Sequence, residues 1–128
     1  MNEMDTALAK RWIKSHEEPE STDEASDSTE ELKELCEDYP YRAIQTLYFI
    51  ANNTDSENVL ANLGAGPLEN FLNTDSGAGY IDDIIAHAKK SINWRLAFGC
   101  VWTVSFKDRQ LAEKIELNIN LLFPASRP

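Results

Sequence analysis

This sequence predicts an all-α fold, a single domain of about seven or eight short helices packed as antiparallel hairpins. Three observations carry that prediction. Apolar residues recur at spacings of three and four along most of the chain, which puts them on one stripe of a helix. No segment shows convincing period-two alternation, the mark of a half-buried strand. Proline and Gly- or Asn-containing breaks separate the periodic segments at short intervals, so successive helices fold back on one another. At 128 residues and 42% hydrophobic content the chain has room for one core, and residues 1–128 are read as one domain.

The elements follow in order. Asp5 to Lys14 places Leu8, Trp12 and Ile13 on one stripe, with Lys10, Arg11 and Lys14 around the rest. From about residue 16 to 27 no apolar side chain exceeds alanine, so this stretch is expected to be a flexible acidic linker. Ser28 with Glu31 three residues on is a capping-box pattern, predicting a helix start there, with Leu32, Leu35 and Cys36 inward. That helix should stop near Tyr39, because the residue before Pro40 is pushed out of helical geometry. Pro40 then suits the first turn of a central helix, Tyr41 to Ala51.

Ser56 to Leu63 reads as a short helix with Val59, Leu60 and Leu63 inward, ended by Gly64. Another runs from Pro67 to about Asn73 and is broken by the glycines at 77 and 79. Tyr80 to Lys90 is the clearest amphipathic helix, with Tyr80, Ile81, Ile84, Ile85 and Ala88 on one face. Asn93 to Ser105 puts Trp94, Phe98, Val101 and Trp102 on one face, so both tryptophans are expected in the core. A last helix from Asp108 to about Leu122 uses Leu111, Ile115, Leu117, Ile119 and Leu122, and a frayed tail is expected at 124–128.

The net charge of −10 is concentrated in one place. Between Ser15 and Asp38 eleven acids face a single base, Lys33, so the remainder of the chain is neutral. An anionic surface repels phosphate backbones, which argues against nucleic acid, and it steers a basic protein toward itself. Glu17, Glu18, Glu20, Asp23, Glu24, Asp27, Glu30, Glu31 and Glu34 are therefore the candidate partner-binding residues. The charged, amphipathic N-terminus predicts a cytoplasmic location, and Cys36 and Cys100 are expected as free buried thiols. The longest apolar-and-glycine run, Leu96 to Trp102, is far short of the roughly 20 residues that span a bilayer.

LGAGPLENFL, Leu63 to Leu72, has the glycines of a phosphate loop but no preceding strand and no following lysine or arginine, and Glu69 would repel an anion. A helix-to-helix corner accounts for each residue: Gly64 as a left-handed helix end, Gly66 as the next N-cap, Pro67 at the first position and Glu69 at the third.

Trp12-Ile13 followed by His16, Leu32 and Leu35 leading into YPYRAIQTL, then LGAGPLENFL and GYIDDIIAHAKKSINWRLAFGCVW, together resemble a family of small uncharacterised bacterial proteins with a G-[AS]-G-P-[LI]-E core motif. The resemblance covers roughly Ala7 to Trp102. Its pattern falls on Trp12, Gly64, Gly66, Pro67, Leu68, Glu69, Ile81, Arg95, Leu96 and Trp102. It implies a small helical fold like a short HEAT-type repeat and brings no activity with it. The acidic linker departs from the family pattern.

Groups able to do chemistry are few. Asp83 and His87, four apart, share a helix face and could hold a metal, but no third ligand is visible, and an ion pair is the simpler expectation. Cys36 lies among acids that disfavour its thiolate, and Cys100 among core residues. Glu69 and Arg95 are expected to form a partly buried ion pair bracing the Gly-Pro corner, with a functional pocket around it as the sharper alternative. The expected function is a non-enzymatic acidic protein-interaction module, in one concrete form an immunity-like inhibitor of a basic bacterial toxin. The alternatives are a helical-repeat adaptor binding through an apolar face and, third, a small enzyme or ligand binder around Glu69 and Arg95. No cofactor, metal, nucleic acid or membrane contact is expected.

Overall fold

The structure, a computed structural model, describes residues 1–17 and 23–123, with side chains for 1–17 and 27–123. Its elements are α1 (Glu3–Glu17), α2 (Asp23–Asp38), α3 (Pro40–Asn52), α4 (Glu57–Leu63), a π-helical segment (Gly64–Leu68), α5 (Glu69–Leu72), α6 (Asp75–Ala78), α7 (Ile81–Lys90), α8 (Ile92–Phe98) and α9 (Arg109–Leu122). Among the described residues there is no strand, and the fold is all-α.

α1 packs against α2, α3 and α4, while α7 packs on α8 and α8 on α3, α4 and the π segment. One core joins them, with Trp12, Trp94, Phe71 and Phe98 as its largest fully buried side chains. Trp94 donates its indole N–H to the Ile84 carbonyl at 3.1 Å, tying α8 to α7. Asn93 Nδ2 reaches the carbonyls of Ala51 and Thr54, each at 2.9 Å, and so closes the end of α3. Helix starts are fixed by side chains three residues ahead of the N–H they accept. Ser56, Thr74, Ser91 and Asp108 cap α4, α6, α8 and α9 in this way.

The acidic segment departs from the expected linker at both ends. His16 and Glu17 finish α1, and α2 begins at Asp23, so helix occupies residues 16–17 and 23–27. The rest of the expected linker, 18–22, lies outside the described residues, as does the expected tail at 124–128. Ser28 is therefore mid-helix and no cap. It is fully buried, its Oγ 3.4 Å from Ser15 Oγ, where a small side chain lets α2 lie close to α1.

The Gly-Pro stretch is not a corner. Gly64 has φ −68° and ψ −46°, and no glycine in the described chain has a positive φ, so helical backbone runs from Glu57 through Leu72. Its burial pattern explains the π segment. The inward pairs Val59/Leu60, Leu63/Gly64, Pro67/Leu68 and Phe71/Leu72 recur every four residues instead of every 3.6. Over the twelve residues from Leu60 to Leu72 an α-helix would drift by about 120°. One surplus residue in a π turn removes about 100° of that drift and keeps all four pairs on the core. The wider turn also accommodates Pro67, which inside an α-helix would clash with the carbonyl four residues back.

Gly64 is needed for approach, not for turning. A Cβ there would stand 1.8 Å from the Ala97 carbonyl oxygen and 2.9 Å from Cys100 Cβ, so the absent side chain lets α8 lie against the π segment. A Cβ on Gly66 would meet nothing within 4 Å.

α8 is shorter than the expected helix, ending at Phe98, and residues 99–108 follow without regular helix. Trp102 is consequently 68% exposed and not a core residue, whereas Trp94, Phe98 and Val101 are buried. Leu117, expected inward on α9, is exposed as well. The glycine-rich break after α5 contains the single turn of α6.

Gly64→Ala should lower the stability measured by urea unfolding by about 2 kcal/mol or more, because the clash is with backbone. Gly66→Ala should be neutral or raise stability by up to about 1 kcal/mol, since it replaces a helical glycine in open space. Equal effects of the two would contradict the close approach of α8.

Candidate functional site

The outer face of α2 holds the acidic charge. Asp27, Glu30, Glu31, Glu34, Glu37 and Asp38 are all exposed, and Lys33 is the base among them. Of the other candidate partner-binding residues, Glu17 is exposed at the end of α1 and Asp23 and Glu24 open α2. Glu18 and Glu20 lie outside the described residues. The last turn of α2 carries no basic residue, so Glu37 and Asp38 sit at the negative pole of the helix, where local electrostatics disfavour them.

Between α1, α2 and the start of α3 lies a groove of about 470 Å³. Its inner wall carries an ion pair that the sequence did not reveal. Arg42 binds the buried Asp5 through both carboxylate oxygens, Nε to Oδ2 at 3.0 Å and Nη2 to Oδ1 at 2.8 Å. That hydrogen bond favours the charged guanidinium and pushes its pKa up. The guanidinium carbon also stands 4.8 Å from the centre of the Tyr39 ring. Across the groove Arg11 grips Glu31, with Nη2 to Oε2 at 2.8 Å, and holds that carboxyl below its ordinary range. Glu31 is thus engaged within the protein. Glu34 and Asp38, one turn apart on the same wall, carry no ion pair among the described residues. The available signals for Asp5 and Arg42 were an acid in the first turn of α1 and a base on an otherwise apolar central helix.

Glu69 and Arg95 do not pair. Glu69 Oε1 accepts the Trp102 backbone N–H at 2.8 Å, and Arg95 donates to the carbonyls of Ala88 and Lys89 at 2.9 and 3.1 Å. Arg95 thereby satisfies carbonyls left open at the end of α7, a need created by the tight α7–α8 turn. The expected ion pair, and any pocket built on it, is corrected accordingly. Gly64, Pro67 and Leu68 are buried structural residues of the motif, and Gly66 is half-buried.

The Glu69 bond braces a second groove, of about 810 Å³, beside residues 99–104. Exposed Trp102 and Val104 form its apolar rim, and half-buried Cys100 lies within it. Its polar groups are occupied internally: Thr103 donates to Glu116, and Arg109 Nη1 donates to the Thr103 carbonyl at 2.9 Å.

Asp83 and His87 are each engaged with Tyr48 instead of with one another. The Tyr48 hydroxyl donates to Asp83 Oδ2 at 2.8 Å, and the His87 ring stacks on Tyr48 at 3.9 Å. Burial, reinforced by that hydrogen bond, pushes the Tyr48 phenol up. Among the described residues no three His, Cys, Asp or Glu side chains are grouped to hold a metal ion, and no helix is long and apolar enough to cross a membrane. Cys36 and Cys100 are free, Cys36 buried and Cys100 half-buried. Burial, with Glu37 adding to it, pushes the Cys36 thiol up to about 12.

Two predictions follow from these environments. Asp5→Ala should cost about 1–3 kcal/mol in urea unfolding, because Arg42 loses its charged hydrogen-bond partner. An unchanged midpoint would mean that the pair contributes nothing to the fold. The raised thiol of Cys36 favours the neutral form in the native state, so its contribution is complete below the unfolded-state value, about 8.5, and declines above it. The stability of the wild type should therefore fall by up to about 1.4 kcal/mol per pH unit more steeply than that of Cys36→Ala above pH 9.

No curated protein and no solved structure matches this chain. A family profile does, over residues 15–117, from the end of α1 into α9, and so contains α2, the Gly-Pro motif and Arg95. That match begins later and ends later than the stretch over which the motifs suggested a family. Spanning most of the sequence, it shows that the chain belongs to a family of unknown function, DUF6869.

Proposed function

We propose that the protein is a non-enzymatic interaction module that binds a basic protein partner through the outer face of α2. The observation that carries this reading is the position of Glu37 and Asp38. Acids at a helix C-terminus lower the stability of the helix that bears them, by about 0.3–1 kcal/mol each at the surface. A positively charged partner turns that local cost into attraction and accelerates encounter. α2 presents these charges from a helix anchored by Leu32, Leu35 and Cys36, so little ordering is required on binding. An immunity-like inhibitor that covers the basic active-site face of a toxin is one concrete form.

A second reading draws on Trp102. A tryptophan held out on a braced backbone is the kind of anchor found at the centre of protein interfaces. On this reading the protein is an adaptor that binds through the groove at residues 99–104.

Tagged full-length protein, used to capture partners from its host and washed at low and then high salt, separates the two. The charge-based reading expects one stoichiometric basic partner, released by salt and lost with Asp27→Asn/Glu30→Gln/Glu37→Gln, but kept by Trp102→Ala. A salt-resistant partner lost with Trp102→Ala would replace it with the adaptor. Turnover of a substrate, abolished by a substitution that preserves the fold, would overturn both.

A further inference from the structure

We draw no further inference here: the strongest candidate, the groove beside residues 99–104 with Trp102 and Val104 on its apolar rim, carries nothing further because nothing among the described residues shows what covers it.

Discussion

The contact between Gly64 and the Ala97 carbonyl sets the spacing on which the packing around α8 depends. With no Cβ on one side and a backbone oxygen on the other, α8 lies directly against the π segment. That closeness lets Trp94 and Phe98 bury fully, and Trp94 in turn carries the α7 helix through its bond to Ile84. It also fixes where the chain emerges after Phe98, so that the Trp102 N–H meets Glu69. A hydrophobic core tolerates many exchanges of similar volume, but a backbone-to-backbone approach of this kind has no spare volume to exchange.

The all-α class and the inward faces of α1 and α7 were legible because their apolar residues follow the helical period closely. Trp12 and Ile84 are buried where the pattern put them. The Gly-Pro stretch misled because glycine and proline are read as punctuation, whereas here one glycine serves approach and the proline sits in a widened turn. The signal that could have shown this was a strict four-residue repeat of inward pairs from Val59 to Leu72, too long for an α-helix. The acidic stretch misled for a different reason. Helix at 23–27 is supported by the rest of α2 and its packing on α1, and a composition count confined to residues 16–27 cannot see either.

The candidate site was legible in charge and not in geometry. The sequence placed the negative surplus between Ser15 and Asp38 but offered no way to tell Glu31, which Arg11 engages, from Glu34, which has no ion pair among the described residues. That distinction depends on which residues of α1 lie across from α2. Similarly, Arg42 reads as one more charge on a central helix until Asp5 is seen buried beneath it. Glu69 and Arg95 had the appearance of a pair because both fall on the family pattern and lie in segments that could approach in a helical hairpin. Each instead satisfies backbone groups, one at the start of the 102–108 stretch and one at the end of α7.

The distribution of the three tryptophans gives the molecule a divided optical signature. Trp12 stacks on His16 inside the α1 packing, Trp94 is sealed beside Tyr48, and Trp102 stands in solvent at the rim of the larger groove. The two buried indoles emit from apolar surroundings beyond the reach of aqueous quenchers, while the third emits from water. Unfolding therefore changes the emission of the buried pair, while an event confined to the groove would change that of Trp102 alone, so the two can be told apart in an unlabelled sample.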